Sequence, residues 1–518
     1  MNTLSAYAGA NRGDFHTVYK GQSVDDLIIQ YMEENNVPGL ALAIVQAPYI
    51  TRVVGYGLAD TDKKLLAATR TMFNIGQITN AYTGVAIMQL KEEGKLKLDD
   101  PISTYLTNLP TTWQAVTIRQ LLNHSSGLPD YTTAPGFNYS NDYQIPDLLN
   151  LIKDKPLAFQ PGTQMETSAT NPYLSGLIIE KASGMSYQDY VTKNQIERVG
   201  LKHTFFVSNV GSVQNEVDNG TDPFKHSQFL QNPIYINPAE LATGYGQKEN
   251  KLTPIPPLAW TASFANSGII ASAEDISLWD IALAGNVLVK DPDDRAILYN
   301  GFQLAGSSAI SPADVGWFFP GHKGLMEIKG NVPGYSSFLS RFTAPNELLC
   351  VTLLANKENL PDLNILARKI AGAFDIHLAV ADGAPWAETV QSPYSVKETI
   401  ARVMTLVQKQ GGKIFAHINH SEEAKKANET LPATEVVILG NPAKGTALMQ
   451  ANPAFALDLP LRIMATQDAT GQVWLSFTDP IKLAQAYGLD EKQMVVAKQI
   501  SLALRKLSDK VISAQTKL

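Results

Sequence analysis

Two amide side chains stand one turn apart at the start of a predicted amphipathic helix. The stretch FNIGQITNAYTGVAIMQLKEEGK begins at Phe73, and its apolar residues recur at the spacing of a buried helix face. Gln77 and Asn80 are three residues apart, so their side chains share one face. A carboxamide donates and accepts hydrogen bonds, but it is not a nucleophile and does not titrate near neutral pH. The pair could therefore bind a polar group without performing acid–base or nucleophilic chemistry.

The composition is that of an ordinary globular chain. Its 518 residues suffice for two or three domains, with 44% apolar and 18% charged residues. A net charge of −7 is too small to indicate a nucleic-acid partner or a membrane surface, and no apolar run reaches membrane-spanning length. Cys350 is the only cysteine, which excludes an internal disulfide and a cysteine-rich metal site. We expect neither a cofactor nor a metal ion.

The first residues give two expectations about the compartment. The stretch MNTLSAYAGANRGDF lacks the basic and apolar regions of a signal peptide. The protein is therefore expected in the cytoplasm or, where a native signal has been removed, in the periplasm or outside the cell.

Predicted strands lie at both ends of a long N-terminal body, with helices between them. The strands are Leu40–Val45, Ile50–Asp60 and Glu347–Asn356, and the helices follow Phe73 and cover Tyr173–Ala182 and Ala273–Gly285. This order predicts an α/β (α+β) fold in which distant segments close one antiparallel sheet around an inserted helical region.

A change of composition divides the chain into two domains. The stretch ADGAPWAETVQSPYS, residues 381–395, is rich in Ala, Pro and Ser and shows no period, so it is predicted to be a linker. Residues 1–380 form the body. Residues 396–518 contain their own apolar strands, VVILG and VWLSF, and an amphipathic helix near Gln493–Leu507, which predicts a separate small domain.

Five motifs in the body resemble, in order, those of the β-lactamase-related serine hydrolases and penicillin-binding proteins, especially the esterase and D-aminopeptidase branch. They are NVPGLALAIV, FNIGQITNAYTG, LLNHSSGLPDY, PGTQMETSATNPYLSGLIIEKASGMSY and VPGYSSFLSRF, within roughly residues 24 to 375. The resemblance implies an antiparallel sheet with a helical region, and a cleft where the nucleophile helix begins.

The chemistry of that family implies three sets of groups, and this chain departs from each. A serine with a lysine one turn later is replaced by Gln77 and Asn80. A tyrosine-x-asparagine pair is replaced by Thr167 and Ala169, and an edge-strand lysine or histidine by Ile328. Two backbone N–H groups would bind the oxyanion. The resemblance therefore implies a catalytically inactive homologue with no catalytic residue.

Two of these assignments have an alternative register. A shift of one residue would place Ser168 and Thr170 at the second motif, and neither register restores the tyrosine. A shift of one residue at the third motif would place Lys329 at the lysine position. Three similar tripeptides are interpreted as coincidences because they lie outside the matching segments: Tyr139-Ser140-Asn141, Tyr235-Ile236-Asn237 and His322-Lys323-Gly324.

A polar cleft remains once the catalytic groups are removed. The resemblance places Gln77, Asn80, Thr167, Ser168, Lys329, Gly330 and Asn331 in it. The helix N-terminus at Gln77 offers backbone N–H groups and a positive dipole end, which favour a carboxylate or a peptide-like group. The alternative is a vestigial pocket that persists because the fold needs the surrounding elements.

The C-terminal segment resembles a second family. Residues 396–518 are similar to the bacterial domain-of-unknown-function family 302, on the markers Gly440-Asn441-Pro442, Leu459-Pro460-Leu461-Arg462 and the strand at Trp474. That resemblance implies a compact α/β sandwich, often dimeric, without an established activity.

Three classes of function compete. The first is a non-catalytic protein that binds a peptide-like or carboxylate ligand, or a protein partner. The second is a serine-hydrolase-type enzyme (esterase, peptidase or β-lactamase-like) with non-standard groups, using Thr167 or Ser168 as the nucleophile. The third is a structural or assembly protein that forms a homodimer through its C-terminal domain. The missing groups favour the first class.

Overall fold

The computed structural model describes most of the chain as two compact units that meet in sequence near residue 380. The described residues are 17–211, 240–248, 251–304, 310–311, 313–314, 316–318, 324–344, 347–379, 387–467, 473–487, 489 and 491–512. The tripeptide Tyr235-Ile236-Asn237 and the residues His322 and Lys323 lie outside them.

The strands of the N-terminal unit build one large sheet and several small ones. They are β1 (Val18–Tyr19), β2 (Gln22–Ser23), β3 (Gly39–Gln46), β4 (Tyr49–Asp60), β5 (Leu65–Leu66), β6 (Met72–Asn74), β7 (Thr204–Phe206), β8 (Tyr245–Lys248), β9 (Lys251–Pro254), β10 (Ile269–Ser272), β11 (Phe302–Gln303), β12 (Ile310–Ser311), β13 (Ala313–Asp314), β14 (Trp317–Phe318), β15 (Leu325–Val332), β16 (Tyr335–Phe342) and β17 (Leu349–Ala355). The large sheet has eight antiparallel strands among the described residues, in the order β13-β14-β15-β16-β17-β3-β4-β5.

Helices cover both faces of this sheet. They are α1 (Val24–Glu34), α2 (Thr79–Glu92), α3 (Ile118–Leu122), α4 (Ile145–Asn150), α5 (Thr170–Ser183), α6 (Tyr187–Val191), α7 (Glu197–Val199), α8 (Trp260–Ser267), α9 (Ala273–Ala284), α10 (Pro292–Leu298) and α11 (Leu363–Phe374). A 3₁₀ turn, Gly76–Ile78, leads into α2.

Distant segments close the large sheet, as predicted. Strand β17 pairs antiparallel with β3, from Leu349 opposite Gln46 to Ala355 opposite Leu40. Every residue of both strands is buried, which explains why their sequences are continuous apolar runs. The predicted antiparallel sheet with a helical region is confirmed.

Two apolar cores lie on opposite faces of the sheet. Alternate residues of β3 contribute to different cores: Ala41 and Ala43 pack with the helical region, whereas Leu40 and Leu42 pack with α1 and α11. Because side chains alternate along a strand, each face needs its own cover. Helix α2 lies within the helical region and is buried along most of its length.

The C-terminal unit is a five-stranded antiparallel sheet with helices packed on it, which is the predicted small α/β domain. Its elements are β18 (Ala387–Ser392), α12 (Val396–Lys409), β19 (Lys413–Asn419), α13 (His420–Lys426), β20 (Thr434–Gly440), α14 (Pro442–Ala451), β21 (Leu461–Gln467), β22 (Val473–Thr478), α15 (Pro480–Ala486) and α16 (Glu491–Ile512). The strand order is β18-β22-β21-β20-β19, and the core joins the sheet to α12 and α16.

The structure corrects the predicted linker. Residues 387–392 of the stretch 381–395 form β18, which pairs with β22 from Ala387 opposite Thr478 to Ser392 opposite Val473. The strand was missed because AETVQS is short and carries only one large apolar side chain, Val390, which packs against the core of this unit. The C-terminal domain therefore begins at or before Ala387.

Within the described part of the chain, no helix combines the length and the apolar character needed to cross a membrane.

Candidate functional site

The turn that carries Gln77 is held by the side chain of Asn74. Asn74 Oδ1 accepts the Gly76 N–H at 2.8 Å, and Asn74 Nδ2 donates to the Ser267 carbonyl at 3.2 Å. Gly76 has φ +53°, and a Cβ there would lie 3.0 Å from Asn331 N. The turn thus requires glycine for its backbone conformation and for its close approach to β15.

Strand β15 lies directly against this turn. A Cβ on Gly330 would lie 2.5 Å from the Ile75 carbonyl oxygen and would collide with Ser337 Oγ. Ser337 Oγ itself donates to the Ile75 carbonyl at 2.7 Å, so β16 is joined to the same turn. The start of α2 and strand β15 are therefore held together by close backbone contact.

The side chain of Gln77 bridges from the turn to β15. The Asn331 N–H donates to Gln77 Oε1 at 2.7 Å. This N–H lies at the edge-strand position that the resemblance assigns to oxyanion binding. The side-chain carbonyl of Gln77 therefore uses this N–H as its hydrogen-bond donor.

The side chain of Asn331 fixes the donor in place. Asn331 Nδ2 donates to Asn359 Oδ1 at 2.8 Å, and Asn331 Oδ1 accepts the Asn359 N–H at 2.7 Å. Ser336 Oγ also donates to Asn331 Oδ1, at 3.2 Å. This mutual pairing of two asparagines holds the end of β15 against the segment that follows β17.

Two amide side chains beside the turn, Gln77 and Asn80, each have a polar atom without a hydrogen-bond partner among the described residues. Among the described residues, Gln77 Nε2 has no hydrogen-bond partner, and Gln77 is half-buried. Asn80 is also half-buried, and its Oδ1 is a buried atom without a partner in the described part of the chain. Buried polar atoms are normally paired with protein or water, so these two amides can each take an additional hydrogen-bonding partner.

The second motif lies at the start of α5. Thr167 is exposed, Ser168 is buried at 5% exposure, and Ala169 is the residue that precedes the helix. Ser168 Oγ accepts the N–H of Thr170, the first residue of α5, at 3.3 Å. Its burial makes Ser168 a poor nucleophile, because a substrate carbonyl cannot approach the hydroxyl.

His124 is a structural residue beside this motif. It is buried with φ +54°, and its Nδ1 is 3.0 Å from Asn171 Nδ2. Ser126 Oγ donates to Asn171 Oδ1 at 2.6 Å, which completes the fixation of the loop before α5. Burial lowers the pKa of His124 to about 4, opposed by the Asp130 carboxylate, so the ring is neutral at pH 7. The sequence motif NHSSGL indicated this loop but not its partners on α5.

Strand pairing places Ile328 and Lys329 on opposite faces of the sheet. Ile328 pairs with Leu339 and is buried in the helical-side core. Lys329 pairs with Phe338, which belongs to the opposite core, and the lysine is exposed. Because successive side chains point to opposite faces, Lys329 does not share the face of Ile328 and Gly330.

Tyr139 does not belong to the second motif. Its ring packs edge-to-face on Phe137 with centroids 4.9 Å apart, and its carbonyl accepts the Ala259 N–H at 2.8 Å. Its carbonyl thus lies beside the start of α8, whereas its hydroxyl lies close to Ser267 at the end of that helix. Asn74 was also missed from the sequence, although an asparagine two residues before a glycine in a tight turn is the available signal.

The site thus holds hydrogen-bonding groups in place of reactive ones. Gln77 and Asn80 are neutral amides, Ile328 is apolar and the ring of His124 is uncharged and buried. The described residues contain no cluster of three or more His, Cys, Asp or Glu that could hold a metal ion. Gln77 Nε2 can donate to a carbonyl or carboxylate oxygen, and neither Gln77 nor Asn80 titrates near neutral pH.

Comparisons with known proteins match both units. The family model "Beta-lactamase" matches residues 24–373, and the model "Domain of unknown function DUF302" matches residues 388–507. Protein flp of Staphylococcus aureus (strain MW2) is 26% identical over 351 residues, which are 66% of this chain and 64% of that protein. The alignment thus leaves about a third of that relative uncovered.

Two further matches support less, because one covers a small part of the chain and the other has a low sequence identity. The fluoride-specific ion channel FluC 1 of Brucella suis is 46% identical over 101 residues, 20% of this chain and 40% of that protein. The octameric penicillin-binding protein homologue of Pyrococcus abyssi has a TM-score of 0.56 at 20% identity, covering 88% of this chain and 89% of that one. At that identity the likeness shows the fold alone.

Proposed function

This chain belongs to the beta-lactamase family, and on that premise we propose that its N-terminal unit binds a peptide-like or carboxylate ligand without hydrolysing it. The observation that carries the proposal is the 2.7 Å hydrogen bond from the Asn331 N–H to Gln77 Oε1. A hydrolase needs this N–H for charge that develops on a substrate oxygen. Here the protein's own amide uses it.

The loss of reactive groups supports the absence of hydrolysis. Removing single catalytic groups from a serine hydrolase costs roughly 10⁴ to 10⁶ in turnover. In this chain the positions of the nucleophile, the base, the tyrosine and the edge-strand cation hold Gln77, Asn80, Thr167 and Ile328. Activity with non-standard groups would need another nucleophile, and the burial of Ser168 argues against that residue.

The remaining amide groups support ligand binding. Gln77 Nε2 can donate two hydrogen bonds, and it lies at the first turn before α2, where the helix dipole favours negative charge. An oxygen of a peptide carbonyl or carboxylate is the natural acceptor for this group.

Two measurements test the proposal. Incubation with a fluorophosphonate and with a penicillin should leave the intact mass unchanged, because no activated serine is present. Stoichiometric labelling of one residue would contradict the absence of hydrolytic chemistry. N-acetyl-D-alanyl-D-alanine, a peptide-like carboxylate, should bind the full chain in isothermal titration calorimetry.

The variant Gln77→Glu separates ligand binding from folding. A glutamate can still accept the Asn331 N–H, but it loses the donating amide and repels a carboxylate, so the affinity should fall by about tenfold or more. Gln408→Glu is the matched control, because it makes the same change at an exposed position of the C-terminal unit. Equal affinities of Gln77→Glu and wild type, or no binding by wild type, would favour a vestigial pocket.

A homodimer formed through the C-terminal unit is a second proposal. It is favoured by the likeness to a penicillin-binding protein homologue described as octameric. Analytical ultracentrifugation of the full chain should show a dimer that persists at low micromolar concentration. A monomer over the same range would contradict this proposal.

A further inference from the structure

The C-terminal unit contains an apolar cavity that none of the functions above uses. Its volume is about 420 Å³, within the range of small-molecule sites. Helices α12, α14 and α16 and the ends of β20 and β21 surround it. Its apolar wall includes Val407, Leu439, Met449, Leu461, Leu504 and Leu507.

Small residues keep this cavity open. Gly440 and Gly445 both line it. A Cβ on Gly440 would lie 3.5 Å from Pro460 Cβ and 3.7 Å from Phe415, which is ordinary contact, so any larger side chain would extend into the space. Ala503, on α16, also lines the cavity with only a methyl group. The space is thus maintained by residue size at three positions on three different segments.

The rim combines an exposed aromatic ring with a positive charge. Phe415 lines the cavity and is 45% exposed, which is unusual for a ring of this size. The ammonium group of Lys413 lies 4.9 Å from the centroid of that ring. Polar side chains of Gln410, Asn441 and Thr446 complete the lining.

We propose that this cavity binds an amphipathic molecule with an unbranched acyl chain of medium length and an anionic head group. The chain fills the apolar interior, where it displaces water that has few polar partners. The head group stays at the rim beside Lys413. A wholly polar ligand would make no apolar contacts with the aliphatic wall. A cationic head group would be repelled by the lysine.

Dodecanoate is the probe, used with the full chain in isothermal titration calorimetry. One saturable site per chain is expected. Ala503→Phe and Gly440→Leu each fill the cavity and should weaken binding by about tenfold or more, because the acyl chain loses its buried contacts. Leu502→Phe is the matched control, since Leu502 is the neighbouring residue on α16, is 54% exposed and does not line the cavity. It should bind as wild type does.

The head-group contact has its own test. Lys413→Gln should weaken dodecanoate several-fold and leave the binding of dodecanol unchanged, because dodecanol has the same chain without the charge. Thermal melts of each variant, followed by circular dichroism, show that the unit is folded. An absence of saturable binding to wild type, or undiminished binding by both filled variants, would overturn the proposal. Equal losses of dodecanoate and dodecanol in Lys413→Gln would overturn the head-group assignment.

Discussion

At the scale of single residues, Gln77 has a structural role in addition to the binding role proposed for it. Gln77 joins the turn before α2 to the backbone of β15, 254 residues later in the chain. Glutamine has two polar side-chain atoms, so one can bond to β15 while the other stays available. Serine has one polar atom on a shorter side chain and cannot do both. Gln77 therefore connects two elements that are distant in the chain.

His124 should make stability depend on pH. Its folded pKa of about 4 lies below the ordinary value of 6.5, because burial penalises the charged ring. The unfolded chain therefore binds a proton that the folded chain does not, and stability that is present above pH 6.5 is lost as the pH falls towards 4. The loss should be on the order of 3 kcal/mol.

Urea unfolding at pH 7 and pH 4 measures this effect. His124→Asn can keep the left-handed backbone conformation and a hydrogen bond to Asn171, but it does not titrate. The wild type should lose more unfolding free energy between the two pH values than the variant does. Parallel losses in both proteins would show that His124 is not the responsible group.

At the scale of elements, the sequence predicted those strands and helices that are determined by their own local residue pattern. The strands β3 and β17 and the helices α5 and α9 were found because long apolar runs and helical spacing dominate there. The register of β15 was left open between Ile328 and Lys329, since both choices fit the local sequence. Pairing with β16 shows that Ile328 lies on the helical side of the sheet and Lys329 on the opposite face, and this is a contact that the sequence of β15 alone does not contain.

The close approach of β15 to the turn before α2 predicts a strong effect of Gly330→Ala. The added methyl group would collide with Ser337 Oγ and lie 2.5 Å from the Ile75 carbonyl oxygen, so the strand must shift. We expect a loss of about 1–3 kcal/mol of unfolding free energy. Urea denaturation monitored by tryptophan fluorescence gives the value.

Gly211→Ala is the matched control for that substitution. A Cβ on Gly211 would have no neighbour within 4 Å among the described residues, so the unfolding free energy of this variant should stay within about 0.5 kcal/mol of wild type. Equal stabilities of the two variants would mean that β15 can move away from the turn without loss of unfolding free energy. The close contact at Gly330 would then not limit the position of the strand.

At the scale of the whole molecule, the chain has two units with separate cores. The core of the C-terminal unit draws on residues from Val390 onwards, and the cores of the N-terminal unit end at Ala379. The sequence indicated this division by its composition but placed the boundary too late. A short strand in which most residues are polar resembles a linker unless its partner strand is known.

Fragments should fold separately when the boundary respects β18. Residues 17–379 and residues 387–512 should each melt cooperatively in circular dichroism. A fragment of residues 393–512 lacks β18 and exposes the edge of β22, so its melting temperature should be lower by several degrees. Equal melting temperatures of the two C-terminal fragments would show that β18 adds nothing to this sheet.

The pairing of β17 with β3 has a consequence for how the protein is made. On the ribosome, β3 is followed at once by β4, its partner on one side. Its partner on the other side, β17, is not complete until Ala355 has been synthesised. At about 5–20 residues per second, synthesis of the intervening chain takes roughly 15 to 60 seconds. During that time an apolar strand edge has no partner, and unpaired apolar edges recruit other strands. Production of this protein is therefore expected to depend on chaperones that shield its first hundred residues until translation of the N-terminal unit is complete.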